Sequence, residues 1–323
     1  MQHQLAAVPD VRTSLMPALS VIIATHNRAA LLARAVESVR TAGSDLEIVV
    51  VDDASTDDTP DVCKRLDGIR YFRLTSNRGL AEARNEGMCA SSADFVAFLD
   101  DDDQRLPGSL DLQLQALMSS AEAAFSYGRL LLSDPVHHLP TGVIIPERAP
   151  HGDVFWDLLE QNFISPATVV ARKEIVLAQG GFRSGLGGVE DWDLWLRLTE
   201  HWPVIVAEDA VAIYRRASLQ SGQMCSDSVS IFRYMLRVQH MALHSQRALA
   251  APRWKRRQAR TRLLWTLYNA LLYEAESALA EGNDVMARAK SREALRLRPL
   301  RGRVDLNLLK LCRAAGFAVS DIQ

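Results

Sequence analysis

Three groups of carboxylates in this chain of 323 residues each follow or precede an apolar stretch. Asp52-Asp53 follows Ile48-Val49-Val50-Val51, and Asp100-Asp101-Asp102-Asp103 follows Phe95-Val96-Ala97-Phe98-Leu99. Glu190-Asp191 lies in Gly188-Val189-Glu190-Asp191-Trp192-Asp193, just ahead of Leu194-Trp195-Leu196. An isolated acidic pair is ordinarily a solvated turn or a helix cap. A run of consecutive carboxylates is harder to hold, because its repulsion must be relieved by a cation or by raised pKa values. Donors made only of oxygen favour a hard ion, Mg2+ or Mn2+. Mg2+ characteristically binds through one or two carboxylates together with substrate phosphates. The chain has neither Gly-x-x-x-x-Gly-Lys nor Gly-x-Gly-x-x-Gly. A diphosphate would therefore be held by the metal and arginine, with Arg84 the natural candidate.

The segments that must position these groups alternate in period. Ser20 to Ala24, Leu46 to Val51, Tyr71 to Leu74 and Phe95 to Leu99 read as short buried strands. Between them, Ala29 to Thr41, Pro60 to Leu66 and Leu80 to Ala90 repeat apolar residues at helical spacing. This alternation predicts an α/β fold: a mixed, mainly parallel sheet flanked by helices. Ligands of such sheets bind at the carboxyl ends of the strands, where the first two acidic groups fall. Residues 121–215 mix strands and helices less regularly. Pro135, Pro140, Pro146 and Pro150 read there as a long loop or lid beside the site. From about Ser226 the chain turns nearly all helical, and Ala275 to Pro299 has the spacing of a helical hairpin, one copy rather than a repeat array. The expected divisions are a flexible lead over 1–17, an α/β domain over 18–222 and a helical region over 223–323.

Composition narrows the class. With 48% hydrophobic and 24% charged residues the chain reads as a soluble globular protein, and a net charge of −2 gives no case for nucleic acid as partner. Cys63, Cys89, Cys225 and Cys312 are widely spaced, so neither a zinc site nor a disulfide framework is expected. Cys89, on a predicted helix, reads as a small buried residue. Residues 1–16 lack a basic start followed by an apolar core, so no secretory signal is expected, and no apolar run spans a bilayer. The expected compartment is cytoplasmic. His26, after the first strand, reads either as a phosphate contact or as a loop histidine without a chemical role. His137-His138 lacks a third ligand and reads as loop.

Five segments in order carry a resemblance. Ser20-Val21-Ile22-Ile23-Ala24-Thr25-His26-Asn27-Arg28 and Ile48 to Thr59 resemble the opening strands and loops of family-two glycosyltransferases. Asn77-Arg78-Gly79-Leu80-Ala81-Glu82-Ala83-Arg84-Asn85 and Phe98-Leu99-Asp100-Asp101-Asp102-Asp103 with Leu106-Pro107 resemble that family's next two motifs. Gly180-Gly181-Phe182, Glu190 to Arg197 and Tyr214-Arg215 resemble its acceptor half. The match covers about residues 18–216. The resemblance implies the GT-A fold, with an α-helical C-terminal extension here, and an inverting, metal-dependent transfer from a nucleotide sugar. By the same resemblance Asp53 would hydrogen-bond the base, the backbone of Ala24, Thr25 and His26, with Asn27 beside it, would line the donor pocket, and Arg84 would lie near base and diphosphate. Asp100 and Asp101 would face the ribose or the metal's water shell, and Asp102 would be the direct ligand of Mn2+ or Mg2+, leaving Asp103 structural. Asp191 would be the general base, with Glu190 and Trp192 on the acceptor side and Trp195 in the core. Many relatives have a histidine two residues after the Tyr-Arg pair; here Ala217 stands there, and Arg216 and Ser218 are the nearest groups for the diphosphate.

The implied partners are a nucleotide-sugar donor, with UDP-sugars favoured because they are common among relatives, and a glycan, lipid-linked or protein acceptor. Arg253-Trp254-Lys255-Arg256-Arg257 with Arg260 and Arg262 reads either as solvated helix surface or as a basic face meeting anionic lipid headgroups, peripherally at the inner face of the membrane. An aspartyl-phosphate phosphatase would need Asp-x-Asp-x-Thr after its first strand, and a response-regulator receiver would need its acidic pair there; the chain has neither. A nucleotidyltransferase would need a glycine-rich, lysine-bearing loop, which is also missing. A sugar-nucleotide sensor, or a scaffold acting through the helical tail, is the alternative from another class; intact Asp102 and Asp191 speak against it.

Overall fold

The computed structural model describes residues 16–134, 139–215 and 228–297, together with Leu311 and Ala314. His137-His138, Ala217 and its neighbours Arg216 and Ser218, Cys225, Cys312 and most of the lead lie outside the described residues.

The first half alternates as the periods require: β1 (Leu19–Thr25), α1 (Ala29–Ala42), β2 (Leu46–Asp52), α2 (Thr59–Arg65), β3 (Ile69–Arg73), α3 (Leu80–Ala90) and β4 (Phe95–Asp100). These four strands pair in parallel in the order β3-β2-β1-β4. All seven residues of β1 are buried, as a strand covered on both faces must be. Alternate side chains serve opposite layers. Ile22, Val49, Val51, Val96 and Phe98 pack with Met88, Phe182 and Trp195 on one face. Val21, Ile23, Val50, Ala97 and Leu99 pack on α1 through Leu32, Val36 and Val39 on the other. Helix α3 approaches so closely that a Cβ on Gly87 would stand 2.5 Å from Ile22 Cγ2.

The second half extends the sheet in mixed directions. It contains β5 (Gln104–Arg105), α4 (Ser109–Met118), β6 (Phe125–Ser133), β7 (Pro140–Ile145), α5 (Phe155–Glu160), β8 (Val169–Arg172), α6 (Lys173–Ala178), α7 (Glu190–Thr199) and β9 (Val204–Tyr214). Strand β8 lies antiparallel to β4, β6 antiparallel to β8, β9 parallel to β6, and β5 antiparallel to β9. The proline-marked stretch is not wholly loop. Residues Pro140–Ile145 form β7 against β6, because Pro140 sits at the strand's first position and Pro146 just beyond it, where neither interrupts the ladder. Helices α8 (Ser228–Ala242), α9 (Gln246–Ala250), α10 (Arg253–Ala280) and α11 (Asp284–Leu297) complete the described chain, and α10 packs on α5 and on α11 as the expected hairpin. No helix among the described residues is long and apolar enough to cross a membrane. Cys63 is buried, but Cys89 is exposed on the outer face of α3, contrary to expectation: Ala83, Arg84, Gly87 and Met88 take the buried face.

Candidate active site

Strand register brings the first two acidic groups together. Thr25 stands opposite Asp52 and Ala24 opposite Asp100, so the loops after β1, β2 and β4 leave one edge of the sheet side by side. Their backbone is bent sharply there: Asn27 and Ala54 have positive φ, 54° and 57°. Asparagine tolerates that region through its short polar side chain, and alanine does so only under strain. Asn27 Oδ1 accepts from Thr56 N at 2.7 Å, and Asn27 N donates to Ser55 Oγ at 2.9 Å, which stitches the two loops. His26 Nδ1 lies 2.7 Å from the Asp53 carbonyl and its Nε2 lies 3.1 Å from Asn27 Nδ2. A neutral ring protonated on Nδ1 satisfies both contacts, so this histidine also ties the loops.

Asp53 is buried and accepts from the backbone N–H groups of Arg78 and Gly79, both at 2.7 Å. Gly79 takes φ 86° at the start of α3, which lets its N–H face that carboxylate. Asp52 does not reach the cleft; it caps Ser55 N and accepts from Tyr71 Oη, each at 2.7 Å.

The four aspartates after β4 have unequal surroundings. Asp100 is partly exposed and accepts from Arg84 Nη2 at 2.6 Å. Asp101 accepts from Thr25 Oγ1 at 2.7 Å, yet burial, and then its acidic neighbours, push its carboxyl up to about 7. Asp102 Oδ2 receives Arg28 Nη1 at 2.8 Å and Arg215 Nη2 at 3.1 Å. Asp103 Oδ1 accepts from Arg215 N at 2.9 Å, while its buried Oδ2 has no partner among the described residues; burial and the neighbouring carboxylates hold it well above the usual range.

Arg84 joins the two halves. Its guanidinium is buried, bonds Asp100 and Glu190 Oε1 (3.0 Å), and lies 5.2 Å over the Phe182 ring. Glu190 opens α7 and Asp191 follows it in the helix's first turn. Asp191 Oδ1 accepts from Trp192 N at 2.7 Å, and Oδ2 lies 3.3 Å from Asn162 Nδ2. Burial, reinforced by Glu190 and opposed by Arg84, pushes Asp191 up to about 7.

One cleft of about 1250 Å³ is lined by Ala24, Thr25, His26, Asn27, Asp53, Arg84, Asp100, Asp101, Asp102, Glu190 and Asp191. Trp192 is not among its walls. Its side chain is fully buried and its Nε1 donates to Leu158 O at 2.8 Å, so it holds α7 on α5; Trp195 is core, as its spacing predicted. Sequence reasoning missed Arg28 and Arg215 beside Asp102, although both stand inside its motifs, and Asn162 on Asp191. Nothing in Gln161-Asn162-Phe163 marks Asn162 without the fold.

The donor chemistry fits a hard divalent cation. Asp100, Asp101 and Asp102 present oxygen alone; Arg84 already holds Asp100 and Arg28 and Arg215 share Asp102 Oδ2, so a cation would join those arginines and relieve chiefly the buried Asp101. No group of three or more acidic, histidine or cysteine side chains among the described residues forms a metal cage. The site thus suits an ion held by one or two carboxylates and completed by phosphates.

The chain has recognisable relatives in family, sequence and fold. Residues 20–155 match the model of Glycosyl transferase family 2. GalNAc(5)-diNAcBac-PP-undecaprenol beta-1,3-glucosyltransferase of Campylobacter jejuni is 45% identical over 107 residues, 31% of this chain and 34% of that protein. The chain spans between 15% and 62% of the length of the first curated relatives it matches. Among solved structures, S. aureus TarS 1-349 with UDP-GlcNAc superposes with TM-score 0.59 at 15% identity, over 89% of this chain and 94% of that one. Mannosyltransferase PcManGT of Pyrobaculum calidifontis, with GDP-Man and Mn2+, gives 0.55 at 17% identity, over 94% and 80%.

Proposed function

We propose that this chain, which belongs to glycosyl transferase family 2 and has the GT-A fold, moves a sugar from a nucleotide-diphosphate sugar to an acceptor hydroxyl with inversion. The observation that carries this is the shared cleft: Asp53 and Asp100 to Asp102 from the first half line the same space as Asp191 from the second. A sugar hydroxyl is a weak nucleophile, and a carboxylate poised near 7 accepts its proton as the oxygen attacks the anomeric carbon. As that bond forms, the bond to the nucleoside diphosphate breaks from the opposite side. Asn162 aims Asp191 through Oδ2. Asp53, with the backbone of Ala24 to His26, takes the base, and Arg28 and Arg215 place positive charge where the diphosphate leaves. Mn2+ or Mg2+, held by Asp102 with Asp100 and Asp101 beside it, would supply Lewis-acid neutralisation of the leaving diphosphate.

A UDP-sugar is the favoured donor, supported by the UDP-GlcNAc complex of the TarS neighbour. A lipid-linked glycan is the favoured acceptor, supported by the undecaprenol-linked substrate in the Campylobacter relative's name, and glycan synthesis at the cytoplasmic face fits both. The test is nucleoside diphosphate release from a panel of sugar nucleotides with Mn2+, for the unaltered chain and Asp102→Ala. Turnover with at least one donor, lost in the variant, is expected. No turnover with any donor, together with unchanged nucleotide affinity in Asp102→Ala, would sink the reading.

A further inference from the structure

The first turns of α10 carry a concentration of positive charge that the catalytic cleft does not use. Arg253, Arg257 and Arg260 follow one another at spacings of four and three residues, which sets them on one stripe of the helix, and all three are exposed. Ala259, Leu263 and Leu267 take the buried face. Trp254 is 64% exposed beside the stripe, and Leu249 of the preceding α9 is 52% exposed. Among the described residues none of the three arginines pairs with a carboxylate. The carboxylates that meet α9 and α10 pair with other arginines: Asp153 with Arg247, Glu160 with Arg262, and Glu200 with Arg247 N. A chain with net charge −2 has therefore gathered an uncompensated basic patch, with exposed Trp254 at its edge and exposed Leu249 on the helix just before it.

The patch is joined to the acceptor side of the cleft through one helix. Lys255 Nζ lies 4.5 Å over the Trp156 ring of α5, and buried Gln239 donates to both Leu159 O (2.7 Å) and Ala259 O (3.0 Å). The chain leaving α5 then supplies Gln161 and Asn162 to the cleft wall, where Asn162 meets Asp191.

From this charge complementarity we propose that the Arg253–Arg257–Arg260 face of α10, with Trp254 and Leu249 at its border, docks the protein on an anionic phospholipid surface and so presents the Asp191 side of the cleft to an acceptor held there. Arginines spread on a helix gain affinity from the negative surface potential, and an interfacial tryptophan adds apolar burial at headgroup depth. The inference deepens the lipid-linked acceptor reading and rests on it only for its purpose, because docking needs no sugar nucleotide.

The experiment is cosedimentation of the full chain with phosphatidylcholine vesicles, pure or mixed with phosphatidylglycerol, without sugar nucleotide. The expected result is binding to the mixed vesicles alone, reversed by salt. Combined Arg253→Ala, Arg257→Ala and Arg260→Ala should weaken it on the order of a hundredfold, while the corresponding Lys substitutions retain it and Trp254→Ala lowers it further in either background. Equal binding to neutral vesicles, or no loss in the triple alanine variant, overturns the proposal. So does heparin binding as tight as the vesicle binding, which would assign the patch to a soluble polyanion. Donor hydrolysis by the triple alanine variant should be unchanged, so failure of docking and failure of the transferase reading are told apart.

Discussion

Asp191 sits half-buried in the first turn of α7, beside one carboxylate that raises its proton affinity and one guanidinium that lowers it. A base is active in its deprotonated form, so that form is lost as pH falls through the raised value. kcat/KM for a soluble acceptor should rise about tenfold per pH unit up to about 7 and level off above. Asp191→Asn should keep donor affinity and lower transfer by about 10²-fold or more; near-normal transfer would remove Asp191 from the role. Arg84→Met removes the charge that favours the ionised base, so the acidic limb should move to higher pH. A pH–rate profile unchanged from that of the unaltered chain would show that Arg84 does not reach Asp191 electrostatically.

Among the elements, α3 is packed against the sheet without slack. Gly87 rests on Ile22 and Val51 with no room for a methyl group, and the same helix carries Arg84. Gly87→Ala should cost about 1–3 kcal/mol by overpacking, read from thermal or denaturant unfolding, and should weaken nucleotide binding by tilting Arg84. The parallel half of this architecture is legible element by element in the sequence, with bounds off by a residue or two as at β3, since apolar runs end in Asp52 and Asp100. The mixed half is less so. Its strands β6, β8 and β9 pair with partners far along the chain, and β7 hides between prolines that mark only its ends. The cleft residues follow the same division. Asp53, Asp101, Asp102 and Asp191 stand in recognisable motifs, whereas Asn162 gains its place only through the packing of α5 on α7. Trp192 shows the limit of type alone: a tryptophan beside a cleft carboxylate suggests a place on the acceptor side, and helical direction turns it into the core instead.

At the scale of the whole molecule, the helical region shares the apolar core of the α/β part through Val238, Leu243, Ala248, Leu263 and Leu267, and buried Gln239 adds polar contacts. Gln239→Ala would leave the carbonyls of Leu159 and Ala259 without this donor, at a cost of about 1–3 kcal/mol. Amide hydrogen exchange in α5 and the start of α10 should quicken, with exchange in β1 and β2 unchanged; uniform quickening would mean that the helical region and the sheet unfold as one unit. The contact between Asp103 and Arg215 has a different consequence. That backbone donor lies 112 residues downstream of the carboxylate it serves. On a ribosome adding about 5–20 residues per second, the acidic loop waits roughly 6–20 seconds for it. Throughout that interval Thr25, Arg28 and Arg84, all upstream, can already meet Asp101, Asp102 and Asp100, whereas Asp103 alone waits for its backbone donor, so the innermost carboxylate of the loop is the last to be sealed.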